Sequence, residues 1–392
     1  MSELPHSDPE LKTASGHDSN EGIELENTGE GDTVKPWDPK QIRITTKNFT
    51  VREVYTQIAA AELDLAPDFQ RSFVWEERRQ IRLIESILLG IPLPAFYFNQ
   101  DSQGAFQVID GVQRLTTVKL FMSNLLTLRD THLEYLKDLQ GLTYDTLDAP
   151  VRRRFAATQI VAHVIEPQTP DEVKYDIFNR VNTGGSPLTA QEIRHCMSKT
   201  RSRDFLRSLV ERDSFDLATA FTFWSWDMEG HRVRDNRRMA DREMALRFCA
   251  FRNTSITEYE RASSLDGFLL EFTRSIDRGD IADQELEELE VAFEQSMVNC
   301  WTILGDAAFR RWPPGASRRG PINRAIFESQ ALALADHSLS NLAPHKDKIV
   351  AAFRQLFENA SYESAVRAGT GDPRKVERRL SAPSDLLAEV FI

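Results

Sequence analysis

A short apolar run that ends in Asp-Gly and continues into a helical pattern constrains this chain most. Residues 105–109 (AFQVI) predict a β-strand, and residues 112–124 (VQRLTTVKLFMSN) place apolar side chains at helical spacing. Gly111 then occupies a tight turn, where free backbone N–H groups and the positive end of the helix dipole favour an anion. The same residues also fit a capped helix start, with Asp110 as N-cap and Arg114 in a salt bridge.

The elements around this turn predict an α+β fold. A capping box of Thr50 and Glu53 starts a helix that runs to about Ala61, and a second helix stops at Gly90. Two further strands are predicted at residues 94–98 and 159–165, and two further helices at residues 171–182 and 188–199. From about residue 200 onward the periodicity is almost only helical. We therefore expect a mixed α/β domain over residues 41–200 and an α-helical domain over residues 201–392.

The first 40 residues differ in composition from the rest of the chain. They hold ten acidic and three basic side chains, which is −7 of the net charge of −12, and few large apolar groups. Such a segment cannot bury enough apolar surface to offset the entropy of ordering, so we expect a disordered acidic tail over residues 1–40. The remaining chain is close to neutral, and a basic face on it is compatible with nucleic-acid binding.

Several classes of protein are disfavoured by the sequence. Runs of about 18 apolar residues are absent, which argues against a membrane protein. The N-terminus carries neither a basic n-region nor an apolar h-region, so we expect a cytoplasmic protein. Cys196, Cys249 and Cys300 lie far apart, which argues against a disulfide framework and against a cysteine zinc site.

Two other segments carry groups that could bind a ligand. In residues 68–75 (DFQRSFVW), Gln70 and Arg71 offer amide and guanidinium donors in a loop, although the aromatic side chains also fit a role in the core. In residues 178–194 a helix end with two glycines leads into a new helix start, which is a second candidate phosphate nest. A glycine C-cap followed by a capping box of Thr189 and Glu192 explains the same pattern.

Together these segments resemble the N-terminal domain of GmrSD-type, modification-dependent restriction endonucleases. The family's hallmarks are Q-R followed by V-W, an S-I-L-x-G-x-P-x-P run, D-G-Q-Q-R-L-T-T, and F-x-R-x-N-x-G-x-x-L-x-x-x-E-x-R. Over about residues 50–200, this chain shows the corresponding residues in the same order: Gln70-Arg71 with Val74-Trp75, Ser86–Pro94, Asp110–Thr117 and Phe178–Arg194. The chain departs from the family at Val112, where the family usually has Gln.

The resemblance implies a ParB/sulfiredoxin-like domain that binds and hydrolyses a nucleoside triphosphate, with Mg²⁺ as the accompanying ion. In that picture Asp110 positions a water or Mg²⁺ and forms the catalytic pair with Arg114. The residues that would bind the nucleotide are Gln70, Arg71, Gly111, Gln113, Arg114, Thr117, Asn182 and Glu192.

Basic and aromatic side chains lie close together after residue 220. Phe221–Trp226 (FTFWSW) precede three arginines that are candidate DNA contacts, Arg234, Arg237 and Arg238. A helix with a solvated basic face beside core tryptophans also explains this pattern. Full-length members of the family that this chain resembles often carry an HNH nuclease, which needs a metal-binding histidine. In this chain, His163 lacks the partner residues of such a nuclease site. A separate nuclease chain would then supply cleavage.

We therefore expect an NTP-binding, NTP-hydrolysing regulator of a DNA-restriction or phage-defence system, with DNA and a nuclease chain as partners and no membrane. Two alternatives stay open from the sequence. One is a non-enzymatic DNA-binding module with a degenerate nucleotide pocket, and the other is a DNA-nicking nuclease on the same ParB-like scaffold. The sequence is also compatible with a homo-oligomer.

Overall fold

The computed structural model describes residues 22–28, 41–65, 75–101, 103–181, 188–226, 230–235, 237–262 and 264–391. Within these ranges, five strands form a mixed sheet in the order β1-β5-β3-β4-β2. Their bounds are β1 (Ile44–Thr50), β2 (Leu63–Asp64), β3 (Phe96–Gln100), β4 (Phe106–Asp110) and β5 (Gln159–Ile165). β1 is antiparallel to β5, β5 is parallel to β3, β3 is antiparallel to β4, and β4 is parallel to β2.

Helices cover both faces of this sheet because its strands alternate their side chains between two apolar clusters. In β4, Val108 lies in one cluster and the next residue, Ile109, lies in the other. The first cluster packs against α1 (Val51–Ala59), α2 (Glu77–Leu89), α3 (Val112–Met122) and α4 (Ala149–Ala157). The second cluster packs against α5 (Asp171–Val181) and α6 (Ala190–Met197). The turn after β4 therefore lies where the two layers meet.

Local capping chemistry fixes where the helices of this half begin and end. Thr50 and Glu53 form the predicted capping box of α1, and Thr189 and Glu192 form that of α6. Gly90 ends α2 in the left-handed conformation that glycine adopts without strain. These three sequence predictions are confirmed.

The second half of the chain is mainly helical. Its longer helices are α7 (Thr200–Val210), α9 (Ala240–Asn253), α11 (Leu265–Arg278), α12 (Asp283–Leu304), α13 (Arg324–Ala335), α15 (Lys346–Leu356), α16 (Ala360–Arg367) and α17 (Pro373–Val390). The short ones are α8 (Asp213–Ala218), α10 (Ile256–Tyr259) and α14 (Leu339–Leu342). Residues 240–251 of α9 are all buried, so this helix lies at the centre of the larger apolar cluster. The predicted α+β fold class is confirmed.

Three strand regions are absent from the sequence predictions, namely β1, the two-residue β2 and a small hairpin in the helical half. β1 reads ITTKNFT and is mostly exposed, because it is an edge strand whose neighbour among the described strands is β5. A small hairpin of β6 (Trp224–Trp226) and β7 (Arg232–Arg234) interrupts the helical half. The expectation of almost only helical structure after residue 200 is therefore wrong at this hairpin.

The prediction of a disordered tail is wrong for residues 22–28, and the rest of residues 1–40 lies outside the described residues. Ile23 is buried and forms a parallel bridge with Ile322. The Glu26 carboxylate accepts hydrogen bonds from both terminal nitrogens of Arg247, at 3.0 and 2.6 Å. A buried apolar side chain, paired carboxylates and backbone hydrogen bonds with Ile322, Thr370 and Gly371 thus anchor a segment whose average composition is that of a solvated tail.

Every helix in the described ranges is too short or too polar to cross a bilayer.

Candidate functional site at the Asp-Gly turn

The turn between β4 and α3 brings a carboxylate and a helix N-terminus to one point. β4 ends at Asp110, Gly111 follows with a φ of 101°, and α3 begins at Val112. A Cβ at residue 111 would lie 2.2 Å from Cδ1 of Phe96. Only glycine therefore combines this backbone conformation with the close approach of the aromatic ring.

Arg114 fixes the geometry of this turn. Its Nη2 donates to Oδ2 of Asp110 at 2.8 Å and to the Ala95 carbonyl at 3.2 Å, and its Nη1 donates to the Pro94 carbonyl. The guanidinium carbon lies 4.1 Å from the centroid of the Phe96 ring. Burial lowers the pKa of Arg114, while the Asp110 carboxylate acts in the opposite direction. Arg114 thereby joins the start of β3 to the first turn of α3 and orients Asp110.

Gln113 connects the turn to the loop before α2. Its Oε1 accepts a hydrogen bond from the backbone N–H of Trp75 at 3.1 Å. Gln70 and Arg71, which the sequence places in the same site, lie outside the described residues.

Thr117 is oriented toward its own helix. Its side chain is 1% exposed, and its hydroxyl donates to the Gln113 carbonyl at 2.8 Å. It thus supports the first turns of α3, and its contact with a nucleotide stays a prediction.

α6 approaches the same region from the other layer of the sheet. Ile193 on α6 shares an apolar cluster with Ile109, the residue before Asp110. Glu192 is buried, accepts the backbone N–H of Thr189 at 2.6 Å, and pairs with Nη1 of Arg238 at 3.5 Å. Asn182 lies outside the described residues. The structure therefore brings Glu192 to this side of the fold as a helix cap with a basic partner.

An ion pair with one fully buried member connects α6 to the helical half. Arg194 is completely buried and donates to Oδ1 of Asp266 at 2.6 Å, and the Tyr175 hydroxyl donates to Oδ2 at 3.0 Å. Burial, more than any other cause, raises the pKa of Tyr175. Asp266 and Tyr175 were missed by sequence reasoning because no local pattern connects residues 91 positions apart.

A comparison with known protein families matches the part of the chain that contains this turn. Residues 51–198 match the family described as the GmrSD restriction endonuclease, N-terminal domain. This segment is a GmrSD N-terminal domain. The resemblance drawn from the sequence motifs is thus confirmed over this range. No curated protein matches the chain.

The match covers strands β2 to β5, the Asp-Gly turn and the helices from α1 to α6, so the Asp-Gly turn lies within the GmrSD N-terminal domain. It indicates a role in a DNA-restriction or phage-defence system. Clusters of three or more acidic, histidine or cysteine side chains that could hold a metal ion are absent from the described part of the chain.

Outside the GmrSD N-terminal domain, the described candidate DNA contacts are paired with acidic side chains of the chain. Nη2 of Arg234 donates to both carboxylate oxygens of Asp216, at 2.7 and 2.6 Å. Arg238 pairs with Glu192, and the side chain of Arg237 lies outside the described residues. These pairs hold the arginines against the protein, and their contacts with DNA stay a prediction.

The β6–β7 hairpin presents a different set of groups to solvent. Trp226 is 73% exposed and lies opposite Arg232 in the strand register. The Arg232 guanidinium lies 4.3 Å from the centroid of the Phe221 ring, and Phe221 is 38% exposed. Sequence reasoning singled out this aromatic segment but not Trp226 or Arg232, since only the strand register shows which side chains face outward.

Proposed function

We propose that the GmrSD N-terminal domain binds a nucleoside triphosphate at the Asp-Gly turn and regulates DNA restriction through hydrolysis of that nucleotide. The observation that carries this proposal is the Asp110 carboxylate, which is fixed by Arg114 beside a glycine turn and a helix N-terminus. Its side chain remains 34% exposed, whereas that of Arg114 is only 12% exposed. A positioned and accessible carboxylate next to free backbone donors suits phosphoryl transfer, which relies on positioning and charge neutralisation.

The first turn of α3 supplies donors for phosphate oxygens. The first intrahelical hydrogen bond runs from the Leu115 N–H to the Gly111 carbonyl at 2.9 Å. The N–H groups of residues 112–114 therefore have no acceptor within the helix and point toward its N-terminal end. Together with the helix dipole, they favour a negatively charged group above Gly111.

Asp110 has one carboxylate oxygen available for chemistry. Oδ2 accepts from Arg114, whereas hydrogen bonds to Oδ1 are absent among the described residues. Oδ1 would orient the attacking water or contribute an oxygen ligand to Mg²⁺. Mg²⁺ prefers oxygen ligands and is commonly held by one or two carboxylates together with substrate phosphates, so a single carboxylate here fits it. When bound, Mg²⁺ would neutralise charge on the phosphates.

Arg114 acts in this proposal as a positioning residue. Its guanidinium already contacts two backbone carbonyls, one carboxylate and one aromatic ring. A rotation toward a phosphate would break this set of contacts and release Asp110. The catalytic role that the sequence assigns to Arg114 is therefore proposed here to act through Asp110.

Nucleotide binding and phosphate release by the Asp110→Asn variant test the proposal. The amide keeps the shape of the side chain but removes its charge, so we expect phosphate release in the presence of Mg²⁺ to fall by about 100-fold or more. Asp138→Asn, an exposed change in the same domain, is the matched control and should leave turnover unchanged. Equal turnover in wild type and Asp110→Asn would contradict the proposal.

A second candidate function is a DNA-binding module without nucleotide turnover. The exposed Trp226 and Arg232 of the hairpin favour it, because a stacking ring beside a guanidinium suits single-stranded or flipped bases. It would be supported if wild type binds DNA with strong salt dependence but neither binds nor hydrolyses any nucleoside triphosphate. Nicking of supercoiled plasmid by wild type but not by Asp110→Asn would instead support the ParB-like nuclease.

A further inference from the structure

A basic cavity lies at the junction of α6, α7 and α9, and none of its lining residues belongs to the proposed nucleotide site. Its volume is about 180 Å³. The lining residues are His195, Thr200, Arg203, Asp204, Arg207 and Arg242. Three guanidinium groups therefore face one small space that holds a single carboxylate.

The carboxylate of the cavity already has a partner. Oδ1 of Asp204 accepts from Nη2 of Arg207 at 2.7 Å. Arg203 donates through Nε to the His195 carbonyl at 3.2 Å, which fixes its guanidinium at the cavity wall without neutralising it. The cavity thus keeps an excess of positive charge.

Arg242 is the decisive residue of this cavity. Arg242 is only 5% exposed, and its Nε has no hydrogen-bond acceptor among the described residues. The neighbouring Asp241 accepts the backbone N–H of Arg242 at 2.8 Å, and burial raises the pKa of that carboxyl group. A buried guanidinium with an unsatisfied donor is costly, and an anion in the cavity would remove that cost.

The imidazole of His195 does not compete for the anion. Burial, together with the charges of Arg203 and Arg242, lowers its pKa to about 2, so the ring is neutral at physiological pH. The guanidinium groups are therefore the charged donors that a ligand would meet.

We propose that this cavity binds a phosphate group, separately from the nucleotide site at the Asp-Gly turn. Guanidinium groups match the several acceptor oxygens of a tetrahedral oxyanion, which a halide does not offer. The volume is below the range of about 300–1,000 Å³ that is typical of sites for drug-sized ligands, so it suits a single phosphate group rather than a whole nucleotide. The group comes either from free inorganic phosphate or from the backbone of a bound nucleic acid.

Thermal unfolding of the full chain with inorganic phosphate tests this proposal, with sodium chloride at the same ionic strength as reference. We expect phosphate to raise the Tm of wild type by about 1–3 °C beyond chloride. Arg207→Gln should lose this rise, and because the Arg207 side chain is 44% exposed, the variant is expected to fold. Arg278→Gln is the matched control, since its side chain is 48% exposed and also pairs with acidic groups.

Two further variants make the result specific. Arg242→Gln should also lose the phosphate response. If this substitution of a buried residue prevents folding, the result with Arg207→Gln still decides the test. Asp110→Asn should retain the response, which separates this cavity from the Asp-Gly turn. A response that Arg207→Gln leaves intact, or that Asp110→Asn abolishes, would overturn the proposal.

A second arm distinguishes the two sources of phosphate. If wild type does not respond to inorganic phosphate but Arg207→Gln weakens binding of a duplex oligonucleotide about tenfold relative to Arg278→Gln, the phosphate belongs to a nucleic-acid backbone. If neither probe depends on Arg207, the cavity does not bind phosphate.

Discussion

At residue 111 a single missing Cβ allows the backbone of the Asp-Gly turn to approach an aromatic ring. The φ of 101° and the position of Phe96 both exclude a larger residue there. Gly141 also has a positive φ, of 78°, but an added Cβ would meet nothing within 4 Å. Comparing substitutions at the two glycines therefore separates the cost of backbone strain from the cost of steric overlap.

Gly111→Ala should lower the free energy of unfolding by about 2–4 kcal/mol, because it adds an overlap with Phe96 to the strain of the left-handed backbone. Gly141→Ala carries only the strain and should cost about 1–2 kcal/mol. Urea denaturation of both variants measures the difference. Equal losses would show that the Phe96 ring moves aside at no cost.

The depressed pKa of His195 predicts a pH dependence of stability. The folded chain keeps the imidazole neutral down to about pH 2, whereas the unfolded chain protonates it below about 6.5. Protonation therefore favours the unfolded state, and stability falls as the pH drops below about 6.5. Between pH 7.5 and 5.5 wild type should lose about 1.4 kcal/mol more than His195→Gln in urea denaturation. Parallel losses in the two proteins would refute this assignment.

At the scale of elements, residues 22–28 pack against the helical half although they lie within a segment that has the composition of a solvated tail. Burial by itself raises the pKa of Glu26, but the Arg247 guanidinium outweighs it and the pKa is lowered overall. The carboxylate therefore stabilises the folded state above its unfolded pKa, and this contribution is lost as the pH falls through the lower folded value. Thr370 adds a hydrogen bond to the same carboxylate.

Glu26→Gln should lower the free energy of unfolding by about 2–4 kcal/mol near neutral pH, because a neutral amide replaces the buried carboxylate that accepts from both terminal nitrogens of Arg247. Leu25→Ala, at a neighbouring side chain that is 81% exposed, should change stability by less than about 0.5 kcal/mol. Chemical denaturation compares the two variants. A Glu26→Gln variant as stable as Leu25→Ala would mean that the segment does not contribute to the fold.

Elements with a strong local signal could be predicted from the sequence. β5 was predicted at its observed bounds because its apolar run is bounded by polar residues, and α6 was predicted from the capping box of Thr189 and Glu192. β1 could not be predicted, since its pairing partner lies more than 100 residues away and one edge strand needs few apolar side chains. The contacts of Ile23 and Glu26 could not be predicted for the same reason, because their partners lie in the helical half.

At the scale of the whole molecule, α6 joins the Asp-Gly turn to the helical half. Its first turn holds Glu192, and its next turn holds Arg194, which is paired with Asp266 of α11. The motif that contains both residues could be recognised in the sequence. The sequence did not show that one of them caps the helix while the other forms an ion pair with the helical half. That division depends on Asp266, which only the tertiary structure brings to Arg194. α6 therefore packs next to the turn through Ile193, which shares an apolar cluster with Ile109, and is held to the helical half through the pair of Arg194 and Asp266.

The hairpin provides the test of DNA engagement by the helical half. Trp226→Ala should weaken binding of single-stranded DNA about 5- to 160-fold, because a stacked base contributes about 1–3 kcal/mol. Arg232→Gln should instead lower the slope of log K against log salt by about 0.7, which corresponds to one lost phosphate contact on a single strand. Tyr135→Ala removes an aromatic side chain that is 71% exposed on the other half and should change neither quantity. Fluorescence anisotropy over a series of salt concentrations measures both, and equal behaviour of Trp226→Ala and Tyr135→Ala would exclude the hairpin as a DNA contact.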